Sequence, residues 1–134
     1  MQLVIGSQSG KTFQKIVDPV QVRSLFGKSI GDSFKGELIN LPGYEFKITG
    51  ASDSAGFPLS KAITGTERKK RLLLKGLGMN DPKPGLKLRK SVRGRVLSEA
   101  VAQINVKVAK NGKEPLEKLL GKPEEATPAA EESK

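Results

Sequence analysis

A chain of 134 residues with 36% hydrophobic residues is long enough for one domain with a small core. Cysteine and histidine are both absent, which excludes disulfides, thiolate or imidazole metal sites, cysteine proteases and Ser-His-Asp hydrolases. Lysine and arginine outnumber aspartate and glutamate by 24 to 14, and the net charge of +10 points to a polyanionic partner.

The N-terminus, MQLVIGSQSGK, has too short an apolar run for a signal peptide, and no positive charge precedes it. No apolar run approaches the roughly 18 residues of a membrane helix, so the expectation is a soluble cytosolic protein. Gln2 to Ile5 reads as a strand, GSQSG as a turn, and Thr12 to Val17 as a second strand, which makes an opening hairpin. Gly6 to Thr12 resembles a Walker phosphate-binding loop. However, only three residues separate its glycines, and a strand rather than a helix follows. It reads as a hairpin turn with a solvated Lys11. A helix start comes next, with Asp18 as N-cap, Pro19 at the first helical position and Gln21 three residues after the cap. Val22, Leu25 and Phe26 share a face of this helix, and Gly27 ends it.

Ser33 to Leu41 and Tyr44 to Gly50 read as strands joined by a turn at Pro42-Gly43. In the second, Tyr44, Phe46 and Ile48 alternate with Glu45, Lys47 and Thr49, the pattern of a strand with one face in water. Ala51 to Ala62 reads as a loop, where the usual role of Asp53 is a turn-stabilising side-chain bond. No second acid is placed to work with Asp53, and Ser91 and Ser98 lack a recognisable base, so no enzyme is expected.

Lys70 to Lys75 reads as a strand around Leu72-Leu73-Leu74, Gly76 to Gly85 as a loop, and Leu86 to Leu97 as a long strand. Alternation along that last strand puts Leu88, Lys90, Val92, Gly94 and Val96 on one face and Arg89, Ser91, Arg93 and Arg95 on the other. Arg89, Arg93 and Arg95 then lie roughly 7 to 14 Å apart, comparable with neighbouring phosphates of a nucleic-acid backbone. Gly94 is either a point of close approach to nucleic acid or a bulge. Gln103 to Val108 is the last strand, with Ile104, Val106 and Val108 inward. Glu114 to Leu120 is a short helix with Pro115 first and Leu116, Leu119 and Leu120 on one face.

Residues 1–121 are therefore expected to form one domain. Residues 122–134, KPEEATPAAEESK, hold no large apolar side chain and are expected to be an acidic disordered tail. Six or seven short strands with one or two short helices predict a mainly β domain, a small β-barrel.

The charge is concentrated. Between Arg68 and Arg95 stand eleven basic residues against one acid, Asp81, while the rest of the chain holds thirteen of each sign. Such a patch repels itself unless it meets a polyanion. Arg68, Lys69, Lys70, Arg71, Lys75, Lys87, Arg89, Lys90, Arg93 and Arg95 are the candidate binding residues, and arginine suits the task because its guanidinium can hold phosphate bidentately. Phe57 is the only aromatic residue in the basic half, and it can equally plug a barrel or stack on a base. Recognition through backbone and shape is therefore expected, rather than through unpaired bases. On charge alone, a freestanding basic barrel acting as a chromatin or translation-factor module remains open.

Gly50 to Pro58 reads G-x-x-D-x-x-G-F-P with Asp53 as its acid, Arg71 to Leu74 reads R-L-L-L, Arg89 to Gly94 reads R-K-S-V-R-G, and Val108 to Gly112 reads V-x-x-x-G. In that order the motifs resemble the archaeal and eukaryotic small-subunit ribosomal protein six-e family, over roughly residues 1–121. The resemblance implies a β-barrel of the cytoplasmic small ribosomal subunit that binds its rRNA beside neighbouring ribosomal proteins. It implies no enzyme activity, cofactor, membrane contact or small-molecule substrate. Eukaryotic members carry a long basic C-terminal helix and a phosphorylated serine-rich tail. This chain has neither, only an acidic segment with Ser133, and so resembles the short archaeal form. Leu59-Ser60 departs from the family's usual Met and basic residue, and the loop before Leu88 carries fewer basic residues than usual.

Overall fold

Alternation of apolar and polar residues is carried furthest in two segments, and these become the longest strands of the fold. In a computed structural model that describes residues 1–79 and 83–120, they are β4 (Glu45–Asp53) and β7 (Val101–Lys110), paired antiparallel. Around them run β1 (Gln2–Gly6), β2 (Thr12–Ile16), β3 (Ser33–Lys35), β5 (Arg68–Leu73) and β6 (Leu88–Arg93), with short helices α1 (Pro19–Arg23) and α2 (Leu116–Leu120). The main sheet has the order β2-β1-β7-β4-β3, and β1 lies parallel to β7 at its centre. Strands β5 and β6 form a separate two-stranded antiparallel sheet.

The register lines up one buried face. Leu3 opposes Ile104, Ile5 opposes both Phe13 and Val106, Ile48 opposes Val106, and Phe46 opposes Phe34 and Val108. Val22, Leu25, Ile39, Leu41, Leu97 and Leu116 join them in a single core cluster. The ring of Phe46 lies 5.7 Å from both Phe34 and Tyr44. Each such side chain stabilises the fold by about 1.5–3 kcal/mol through burial.

The mainly β expectation holds, but the sheet is open, with β2 and β3 as edges, and the β-barrel is corrected to an open five-stranded sheet plus a hairpin. The cause lies partly in the segment expected to be a strand from Ser33 to Leu41. Only Ser33–Lys35 is extended, and a 3-10 turn takes over at Gly36–Ile39. Gly36 packs so closely that a Cβ there would lie 2.2 Å from the Leu41 carbonyl oxygen, and Asn40 adopts a left-handed conformation with φ of 61°. A three-residue edge offers too little ladder to close a barrel.

Other boundaries shift for local reasons. Strand β4 runs past Gly50 to Asp53 through a register shift between Ile48 and Gly50, so Ala51–Asp53 is strand, not loop. Strand β6 stops at Arg93, short of the expected Leu97, because Gly94 is pressed against a neighbouring segment of the same chain: a Cβ there would lie 2.1 Å from the Gly65 carbonyl oxygen. The close approach at Gly94 is thus to Gly65. Asp18 takes the N-cap position of α1, but its carboxylate makes no capping bond. The expected turn at Gly6–Thr12 is present, closed by the Ser7 hydroxyl donating to the Lys11 carbonyl and accepting from its N–H. Lys11 remains about half exposed and pairs with Glu117 at the surface. Among the described residues, no helix is long and apolar enough to cross a membrane. The expected tail lies outside the described residues.

Candidate nucleic-acid interface

Asp53 ends β4 and is followed by a tight loop in which Gly56 takes φ of +90°. Its carboxylate is wholly buried. One oxygen, Oδ1, accepts from the N–H groups of Ala55 (3.0 Å) and Phe57 (2.9 Å), the turn-stabilising role expected of it. The other, Oδ2, accepts from Arg68 Nη2 at 2.8 Å and Nε at 3.2 Å, and from Arg93 Nε at 3.1 Å. Burial alone would raise the carboxyl's pKa, but the hydrogen bonds from Arg68, the Phe57 N–H and Arg93 outweigh it and hold the pKa at about 2. The guanidinium of Arg68 also lies over the Phe57 ring, 4.6 Å from its centroid. Phe57 is therefore a platform for Arg68.

Backbone bonds complete the junction. The Arg93 N–H donates to the Pro58 carbonyl, the Ser60 N–H to the Arg93 carbonyl, and the Leu59 N–H to Ala51. The Gly94 and Arg95 N–H groups donate to Glu67 and Ile63. The Asp53 loop thereby welds the base of the β5–β6 hairpin to the main sheet.

Beyond this junction the hairpin projects as a basic arm. Lys69, Lys70, Arg71 and Arg89 are exposed and Lys90 is half-buried, all on β5 and β6. Lys75 and Lys87 are exposed at the two ends of the connecting loop. Among the described residues, none of these side chains makes an ion pair or a hydrogen bond. Arg68 and Arg93, at the base, do both. Arg95 is exposed but lies outside the strand, next to the Gly94 crossing. The single face of Arg89, Arg93 and Arg95 expected from alternation is thus not one free surface: Arg93 is 14% exposed and also donates to the Thr66 carbonyl. The leucines of the arm are not core either, since Leu72, Leu74 and Leu88 remain 56%, 53% and 37% exposed.

Sequence reasoning missed Asp53 as the partner of two candidate arginines. The available signal was a lone acid just before a cation-rich stretch, because a carboxylate that becomes buried needs a cation. Among the described residues, no group of three or more acidic side chains converges as a metal site would require.

The chain is 43% identical to a protein of Methanothermobacter thermautotrophicus named small ribosomal subunit protein eS6, over 91% of this chain and 97% of that one. It is 44% identical to a protein of the same name from Archaeoglobus fulgidus (88% and 92% covered) and 40% identical to one from Halobacterium salinarum (88% and 90%). The family model described as Ribosomal protein S6e matches residues 1–121, which span the main sheet, the Asp53 junction and the arm. The chain belongs to the ribosomal protein S6e family, whose members are structural and not enzymes.

Proposed function

We propose that the chain is a structural protein of the cytoplasmic small ribosomal subunit, held on rRNA chiefly through the β5–β6 arm. The observation that carries this reading is the division of the charge. At the base of the arm two arginines share the Asp53 carboxylate, and along its length the cations stand without carboxylates among the described residues. Arg71 and Lys90 directly oppose each other, an arrangement that costs stability in the free protein and is relieved by phosphate. The names of the archaeal relatives point to the same subunit. Neighbouring ribosomal proteins are the other expected contacts, and the open edge of β2, with Ile16 81% and Val20 78% exposed beside it, suits a protein partner.

The mechanism is electrostatic. Lysine and arginine neutralise phosphates and release counterions, while the paired strands hold the cations in register. Sedimentation of cell extract through a sucrose gradient tests the assignment. The chain is expected to stay with small subunits through a high-magnesium gradient at low salt, whereas sedimentation in the top fractions there would favour a transiently bound factor.

A further inference from the structure

The arm carries its cations on two faces. In an antiparallel ladder, directly opposed residues share a face and successive residues alternate. The register therefore places Arg68, Lys70 and Leu72 with Arg93, Ser91 and Arg89 on the first face. The second face takes Lys69, Arg71 and Leu73 with Val92, Lys90 and Leu88. Arg68 and Arg93 are occupied by Asp53, so the first face presents Lys70 and Arg89, and the second presents Lys69, Arg71 and Lys90. Past the buried Val92 neither face is fully covered: Leu72 on the first is 56% exposed, and on the second Leu88 is 37% exposed while Leu73 and Lys90 are half-buried. A two-stranded hairpin open on both sides is marginally stable by itself. A polyanion laid on one face alone would leave the other face's cations and leucine in water.

We infer that the arm inserts between two RNA segments, taking a phosphate backbone on each face, and so bridges them. This deepens the proposed function and rests on it. Sheet faces lie about 10 Å from a packed neighbour, so the two backbones would sit about 20 Å apart, each against its own layer of cations. Exposed leucine stems add contact with sugar and base surfaces that charge alone would not provide.

The test uses the full chain with two RNA duplexes of mixed sequence, one labelled with a donor dye and one with an acceptor. Wild type is expected to produce energy transfer that rises with protein and falls again when protein exceeds RNA. Two variants separate the faces: Lys70→Gln with Arg89→Gln, and Lys69→Gln with Arg71→Gln and Lys90→Gln. Each should still bind a single labelled duplex, weakened about tenfold at most, and each should lose the transfer. Circular dichroism confirms that both stay folded. If wild type binds one duplex without transfer, or if either variant keeps the full transfer, the bridge is overturned while RNA binding through the arm stands. A protein partner on one face would give that second pattern. If a variant carrying all five substitutions binds a single duplex as tightly as wild type, the arm itself is the wrong site and the reading of the arm as the RNA contact fails with it.

Discussion

The carboxylate of Asp53 sits between two guanidiniums that oppose each other across the β5–β6 ladder and would repel without it. Replacing it by Asp53→Asn keeps the shape and removes the charge. The substitution is expected to lower the unfolding free energy by about 1–2.5 kcal/mol, since Arg68 stays partly in water, measured by urea denaturation at neutral pH. The acid limb of stability follows from the same group. Its folded pKa of about 2 lies below the ordinary value of 3.8. The stabilisation from this cluster is therefore complete above about pH 4 and is lost as pH falls toward about 2. Wild type should lose stability through that window, and Asp53→Asn should show a flatter profile there. Gly94 makes a second residue-scale prediction. A methyl group at Gly94 would strike the Gly65 carbonyl, so Gly94→Ala should cost about 1–3 kcal/mol, seen as a lowered Tm. The turn bonds of Asp53 were legible because an aspartate in a glycine- and serine-rich loop commonly makes them. Its arginine partners were not, because they lie 15 and 40 residues away and meet it only through tertiary approach.

Elements with clean alternation were legible, and those without it were not. Phe46 and Ile48 in β4, and Ile104, Val106 and Val108 in β7, could be assigned to the core because polar residues separate them. Leu72-Leu73-Leu74 has no alternation, so its run identified a strand without revealing that the strand faces water on both sides. The pairing of β1 with β7 joins residues about a hundred positions apart, beyond the reach of local pattern. The break at Gly36 depends on the approach of Leu41, another tertiary fact. For the arm these differences have a dynamic consequence. Backbone amides of β5 and β6 beyond Val92 should exchange with solvent far faster than those of β4 and β7, because few buried apolar contacts hold them. Binding of rRNA should slow them. Slow exchange in the free protein would contradict an arm that lacks cover.

At the scale of the whole molecule, most of the core lies outside the charged arm, whose one fully buried side chain is Val92 on β6. The core cluster draws on β1, β2, β3, β4, β7 and both helices, and takes nothing from β5. The arm can therefore lose its cations without losing the fold. The uneven charge and the family motifs were both legible in the chain, since neither needs coordinates. The open sheet was not legible, because strand count says nothing of whether edges meet. The most direct measurement is the affinity for small-subunit rRNA as a function of KCl. It should compare wild type with a variant carrying Lys69→Gln, Lys70→Gln, Arg71→Gln, Arg89→Gln and Lys90→Gln. With about six phosphates neutralised, the wild-type plot of log affinity against log salt should have a slope of roughly −4 to −5, and the variant should lose most of that slope with an unchanged circular dichroism spectrum. A wild-type slope near zero, or the same steep slope in both proteins, would contradict the arm as the place where this chain meets RNA.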